Sequence, residues 1–183
     1  MSNYTTVEAD PGGAASFLRA LKHRDETRFR PDQYETDWFT RPAGEVRESL
    51  GRDSLWDNSS PVGVGLDYER LVGVNIGGNH PVIDDVRAYE GIVTSMKVMD
   101  THAFAYQNAK GIVYRASRYV DAFAGFTGVK TVDGFKLPLD QIRGYHLEIA
   151  VRTDITQEQR EAFANVQEYG RTKGIRVIIA EVD

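Results

Sequence analysis

Asp84, Ser95 and Lys97 are the residues whose types and spacing could do chemistry. They stand in Val82-Ile83-Asp84-Asp85 and, after a polar turn, in Thr94-Ser95-Met96-Lys97. If the two stretches are adjacent strands, a carboxylate and an ammonium come side by side. Alternation along a strand puts Ser95 and Lys97 on one face and turns Met96 toward the core. Such a set suits cleavage of a phosphodiester, which needs a cation to neutralise charge on the phosphate oxygens and a water made nucleophilic near neutral pH. Asp84 suits the cation, because hard divalent ions take oxygen ligands. Lys97 suits the water, which it would orient or deprotonate, and the charge of the transition state. Ser95 would hold a metal-bound water or a phosphate oxygen. Spacing alone is a weak signal, since an Asp opening a turn and a Lys on a solvated strand face give the same pattern.

The elements that must position these residues can be read from periodicity. Pro81 to Val86 and Gly91 to Val98 are short apolar runs joined at Arg87 to Glu90, the signature of a β-hairpin. Asp67 to Val72 fits a helix, and Gly77-Gly78-Asn79-His80-Pro81 a turn that ends it. Asn108 can cap a helix to about Ala124 whose apolar face is Ile112, Ala116, Tyr119, Val120 and Phe123, with Gly125 where it should stop. Tyr145 to Arg152 alternates, with Leu147, Ile149 and Val151 on one face. Thr156 and Gln159 make a capping box for a helix buried through Phe163, Val166 and Tyr169 and closed by Gly174. Ile175 to Val182 is nearly continuous in apolar residues, as in a strand covered on both faces. A strand, a connecting helix and a second buried strand make a crossover unit, so the expected fold class is α/β with a mixed sheet. Residues 1–60 read as an N-terminal helical or linker segment: a breaker at Asp10 to Gly13, a helix over Ala14 to Arg24, then polar chain and a short helix near Glu45 to Leu50. Residues 61–183 read as the domain proper.

Composition sets the outer bounds. The chain has no cysteine, so disulfides and cysteine-bound zinc are excluded and a metal must rest on carboxylates, carbonyls or the four histidines. No apolar run is long enough for a membrane helix, and no basic-then-apolar leader opens the chain. The net charge of -5 argues against a nucleic-acid binder. Locally the balance reverses: Lys97, Lys110, Arg115 and Arg118 face one acid, Asp100, between positions 97 and 118.

Gly78-Asn79-His80-Pro81-Val82-Ile83-Asp84, followed by Gly91-Ile92-Val93-Thr94-Ser95-Met96-Lys97-Val98-Met99-Asp100, resembles the core of PD-(D/E)xK (restriction-endonuclease-like) nuclease toxins. These stand at the C-termini of contact-dependent growth inhibition and Rhs polymorphic toxins. The likeness continues through Tyr106-Gln107-Asn108, Asp121 to Phe126 and the last strand-helix-strand, about two thirds of the chain. It implies a restriction-endonuclease-like fold and a metal-dependent nuclease, transfer RNA being slightly favoured over DNA. It also implies a divalent cation, Mg²⁺ first, a cognate immunity protein as partner, and delivery as a secreted or contact-delivered effector acting in the target-cell cytoplasm. Carried over, Asp84 matches the metal-binding aspartate, Ser95 the position that is Asp or Glu in restriction enzymes, and Lys97 the catalytic lysine. Family members add a glutamate from the preceding helix, for which Glu69 fits best, with Glu45 and Glu48 as fallbacks; Asp84 and Glu69 would then bind the metal. Val98 departs from a serine common there.

Other residues carry weaker readings. Lys110, Arg115, Arg118 and Gln107 could contact nucleic acid, against the alternative of a solvated helix face. Tyr106, Tyr114 and Tyr119 could stack bases, although helical aromatics are usually core. Asp85 and Asp100 fit turn or strand-end roles better than metal ligation, and His80 and His102 fit surface turns. Three rival functions stay open: a non-catalytic binding or immunity-type protein, a non-toxin DNA-processing nuclease of the same fold, and a hydrolase or transferase using a cleft near His146 and Glu148.

Overall fold

The computed structural model describes residues 36–74, 76, 82–87, 90–126, 131–132, 135–136 and 142–183. The helix expected over Ala14 to Arg24 and the turn at Gly77 to Pro81 lie outside them. In chain order the elements are β1 (Trp38–Arg41), α1 (Ala43–Leu50), α2 (Pro61–Val72), β2 (Asp85–Arg87), β3 (Ile92–Val98), α3 (Ala109–Ala124), β4 (Thr131–Val132), β5 (Phe135–Lys136), β6 (Gly144–Arg152), α4 (Gln157–Thr172) and β7 (Ile175–Val182). Two short 3₁₀ turns, Leu55–Asp57 and Phe104–Tyr106, complete them.

Five described strands form one mixed sheet in the order β1-β7-β6-β3-β2, and β4 and β5 form a separate hairpin. The inner pairings, β1 with β7, β7 with β6 and β6 with β3, are parallel; β2 runs antiparallel to β3. The fold is therefore a mixed α/β sheet flanked by helices. Strand alternation divides the core in two. Val93, Leu147, Ile149, Val151, Val177 and Ile179 pack against Ile112, Ala116, Val120 and Phe123 of α3 and Ala162, Phe163 and Val166 of α4. On the other face Met96, Ala150, Ala180 and Val182 meet Val46 of α1 and Val64, Tyr68 and Val72 of α2. Burial on both faces explains why β7 reads as one apolar run.

Local chemistry fixes the helix ends. The Thr156 hydroxyl accepts the Gln159 N–H while the Gln159 side chain accepts the Thr156 N–H, the capping box expected from sequence. Asn108 caps α3 by accepting the Gly111 N–H at 2.9 Å. Gly111 itself lets α3 approach the Phe104–Tyr106 turn, since a Cβ there would stand 1.8 Å from the Ala105 carbonyl oxygen. Gly174 takes φ +71° to bring the chain from α4 into β7.

Three elements depart from the sequence reading. Helix α2 begins at Pro61 rather than Asp67, because Ser60 caps it and proline is well placed in a first helical turn. Strand β1, from the stretch read as a helical or linker segment, lies beside β7, with Trp38 opposite Ile179 and Arg41 opposite Val182. The hairpin is shorter than its apolar runs: β2 pairs with β3 only from Asp85 opposite Thr94 to Arg87 opposite Ile92. No described helix is long and apolar enough to cross a membrane.

Candidate active site on the open edge of β3

Because β2 stops pairing at Asp85, β3 continues beyond Thr94 without a β2 partner on that side. The Asp84 side chain takes over there. Its Oδ2 accepts the Met96 backbone N–H at 2.6 Å, while its own N–H donates to the Thr94 carbonyl at 2.9 Å and its carbonyl accepts the Ile76 N–H at 3.2 Å. The carboxylate is thereby fixed in the plane of the sheet. Lys97 Nζ donates to the Met96 carbonyl at 2.7 Å and lies 3.5 Å from Asp84 Oδ2. The Lys97 side chain is 31% exposed and that of Asp84 12%, so the pair is reachable from solvent rather than sealed under apolar packing.

Glu69, on α2, is coupled electrostatically to this pair. Its carboxyl is held above the ordinary range, first by partial burial and then by the negative charge of Asp84, with Lys97 acting in the opposite direction. That coupling places Glu69 in the electrostatic field of both strand residues. Its neighbour Tyr68 is anchored beneath: the fully buried phenol donates to Glu148 on β6, which also lies 3.7 Å from Arg41 of β1. With Tyr68 turned into the sheet, helical geometry turns Glu69 about 100° away, toward the strand edge.

Ser95 is only 2% exposed and stands opposite Leu147, one step nearer the core than Lys97. Its hydroxyl would have to act from beneath the edge. The fallback glutamates are elsewhere: Glu45 pairs with Arg41 at 3.2 Å, and Glu48 is exposed on α1. Asp85 is fully buried. Asp100 is gripped by the Arg152 guanidinium at 2.6 and 3.2 Å, which with the His102 N–H holds it below the usual carboxylate range. His102 pairs with Asp154 at 2.9 Å, and His80 lies outside the described residues. His146 and Glu148, the rival cleft, are both buried within the sheet.

Of the candidate nucleic-acid contacts, Gln107, Lys110, Arg115 and Arg118 are all exposed on or just before α3. Gln107 donates to the His102 carbonyl at 3.1 Å, and Arg115 and Arg118 each lie over a tyrosine ring one turn along the helix. Sequence reasoning missed Tyr68 and Arg41 and took Glu148 for part of a rival cleft rather than their partner; a glutamate inside the apolar run of β6 was the available signal. It also missed the main-chain groups of Met96, which carry no side-chain signature.

No cluster of three or more His, Cys, Asp or Glu side chains able to hold a metal ion occurs among the described residues. The donors that fit a hard cation are the two carboxylates of Asp84 and Glu69, both oxygen ligands. Burial is the larger cause that raises Glu69, and the smaller one, the charge of Asp84, is what a cation between the carboxylates would offset.

The same elements are shared with known proteins. A solved structure, the CdiA-CT/CdiI toxin and immunity complex from Yersinia pseudotuberculosis, has a chain with this fold at a TM-score of 0.53 and 24% identity, covering 61% of this chain and 90% of that one. No curated protein matches the chain. Residues 64–180 match the CDI toxin restriction endonuclease-like domain, a span that contains Glu69, Asp84, Ser95 and Lys97 and more than half of the sequence. The chain belongs to that family of contact-dependent growth inhibition toxin domains.

Proposed function

We propose that the chain is a metal-dependent endonuclease toxin whose active site is the open edge of β3. The observation that carries this reading is the convergence of Asp84 and Lys97 at 3.5 Å on a solvent-reached edge, with Glu69 coupled to both. Asp84 and Glu69 hold a divalent cation, Mg²⁺ by the oxygen chemistry of the donors. When bound, the cation supplies neutralisation of the phosphate oxygens and a lower pKa for an attacking water. Lys97 orients that water or takes its proton, and its charge offsets the negative charge that builds on the phosphorus. Ser95 steadies Lys97's strand from beneath and offers a hydroxyl to a water at the edge. The exposed cations of α3, Lys110, Arg115 and Arg118, with Gln107, steer the polynucleotide backbone.

The substrate in this reading is nucleic acid, transfer RNA slightly ahead of DNA. Family membership supports a contact-delivered effector acting in the cytoplasm of the target cell. The similar toxin was solved with an immunity protein, which supports a cognate immunity protein as this chain's inhibitor. Sequencing the nucleic acid of cells that express the chain tests both the activity and the substrate. Cleavage ends that accumulate in transfer RNA, and vanish with Lys97→Ala, fit the reading; ends in chromosomal DNA alone correct the substrate, and no new ends in either refute the nuclease.

A further inference from the structure

A groove of about 530 Å³ lies past the C-terminal end of β3. Val98, the last residue of β3, lines it, as does Val64 of α2. The opposite wall is Tyr106 of the second 3₁₀ turn with Arg115 and Tyr119 of α3; Trp56 closes one end. The volume is in the range of small-ligand sites, and three aromatic rings, Trp56, Tyr106 and Tyr119, stand in its lining. We infer that this groove receives an unpaired nucleobase of the bound strand and holds it by stacking rather than by reading its edge. The inference rests on the nuclease reading for the identity of the strand.

Three observations favour that occupant. Tyr119 is half-buried, so its ring is held in place, and the Arg115 guanidinium stands 5.4 Å from the ring centre as an aromatic-guanidinium pair. Such pairs accept the flat face of any base. Three polar side chains that line the groove are already engaged: Asn58 Nδ2 donates to Asp67 at 2.8 Å, Asp100 is bound by Arg152, and Arg115 Nε donates to the Tyr119 hydroxyl at 3.1 Å. Edge recognition would have to break these bonds, whereas stacking leaves them intact. Finally, the wall that carries the rings also carries exposed Arg115 and Arg118, so a polyanionic backbone has cations beside the groove. Exposed Val62 and Phe104 near the rim would equally suit a protein partner, and the test separates the two.

The test uses the full chain in EDTA, with fluorescent single-stranded dodecamers of thymidylate, of adenylate, and of abasic residues carrying the same charge. The unsubstituted chain should bind both base-bearing strands more tightly than the abasic one. Tyr119→Ala should weaken the base-bearing strands about 5- to 100-fold and leave the abasic strand nearly unchanged. Tyr119→Phe, which keeps the ring and loses the hydroxyl, should bind like the parent, and circular dichroism of both variants checks that the fold is retained. Equal affinity for abasic and base-bearing strands overturns the inference, as does equal binding by Tyr119→Ala and parent. So does a Tyr119→Ala chain that binds strands normally but escapes its inhibitory protein, which reassigns the groove to a protein partner. A chain that stacks bases yet cuts neither RNA nor DNA with Mg²⁺ would sink the nuclease reading and leave this one standing.

Discussion

The Asp84 carboxylate accepts the Met96 backbone N–H at 2.6 Å, standing where the next residue of a longer β2 would have paired. One side chain thus ends the strand ladder and supplies the negative charge of the site. The Met96 carbonyl on the same peptide stretch receives Lys97 Nζ at 2.7 Å, so backbone and side chains lock the two charged heads into one arrangement.

This double role separates two substitutions. Asp84→Asn keeps an oxygen for the Met96 N–H but loses the charge; it should fold with near-parent stability and lose nuclease activity by about 100-fold or more. Asp84→Ala removes the acceptor as well and should cost a further 1–3 kcal/mol or so in urea unfolding. Equal stability of the two variants would show that the bond to Met96 has no structural weight.

Glu69 and Glu45 make a second contrast. Glu69→Gln should weaken Mg²⁺ or Mn²⁺ binding by about tenfold or more in calorimetric titration. Glu45→Gln should leave it unchanged, because Glu45 faces Arg41. A reversed result would move the second carboxylate to α1.

Tyr68→Phe tests the anchor of α2. Burial, then the charge of Glu148, holds the Tyr68 phenol well above its ordinary pKa, so it stays a hydrogen-bond donor at any working pH. Its loss leaves a fully buried carboxylate with a weaker set of partners, and should lower stability by about 1–3 kcal/mol in a denaturant titration. An unchanged midpoint would mean that the remaining partners of Glu148, Arg41 among them, satisfy it.

Most of the domain is legible in the sequence because its signals are local. The Thr156–Gln159 capping box, the Asn108 cap, the apolar stripe of α3 and the apolar run of β7 each follow from neighbours a few residues apart. The relation of Asp84 to Lys97 is legible for the same reason, since a short hairpin joins them. What escapes is non-local. Trp38 and Arg41 find β7 across some 140 residues, and no pattern in residues 38–41 announces that partner. The start of α2 escapes because Gly63 and Gly65 look like breakers, while the capping by Ser60 and burial of Val64 and Tyr68 override them. Glu148 reads as a polar interruption of β6 until Tyr68 and Arg41 are seen around it.

His146 gives a pH signature. Burial and then the charges of Arg87 and Arg176 lower its pKa to about 4, against an unfolded value near 6.5. Above pH 6.5 both states are neutral and the residue has no effect. As pH falls from 6.5 toward 4 the unfolded chain gains a proton that the native one refuses, so stability declines through that window. His146→Gln should flatten this part of the curve in urea titrations between pH 7 and 4; an unchanged slope would assign it to other groups.

The most direct measurement of the central claim is cleavage of purified transfer RNA and plasmid DNA by the chain in Mg²⁺, alongside Lys97→Ala. The account predicts cutting by the parent that EDTA stops, and a loss of at least about 100-fold in a Lys97→Ala chain whose circular dichroism and melting match the parent. A Lys97→Ala chain that is folded and cuts at the parent's rate would contradict it.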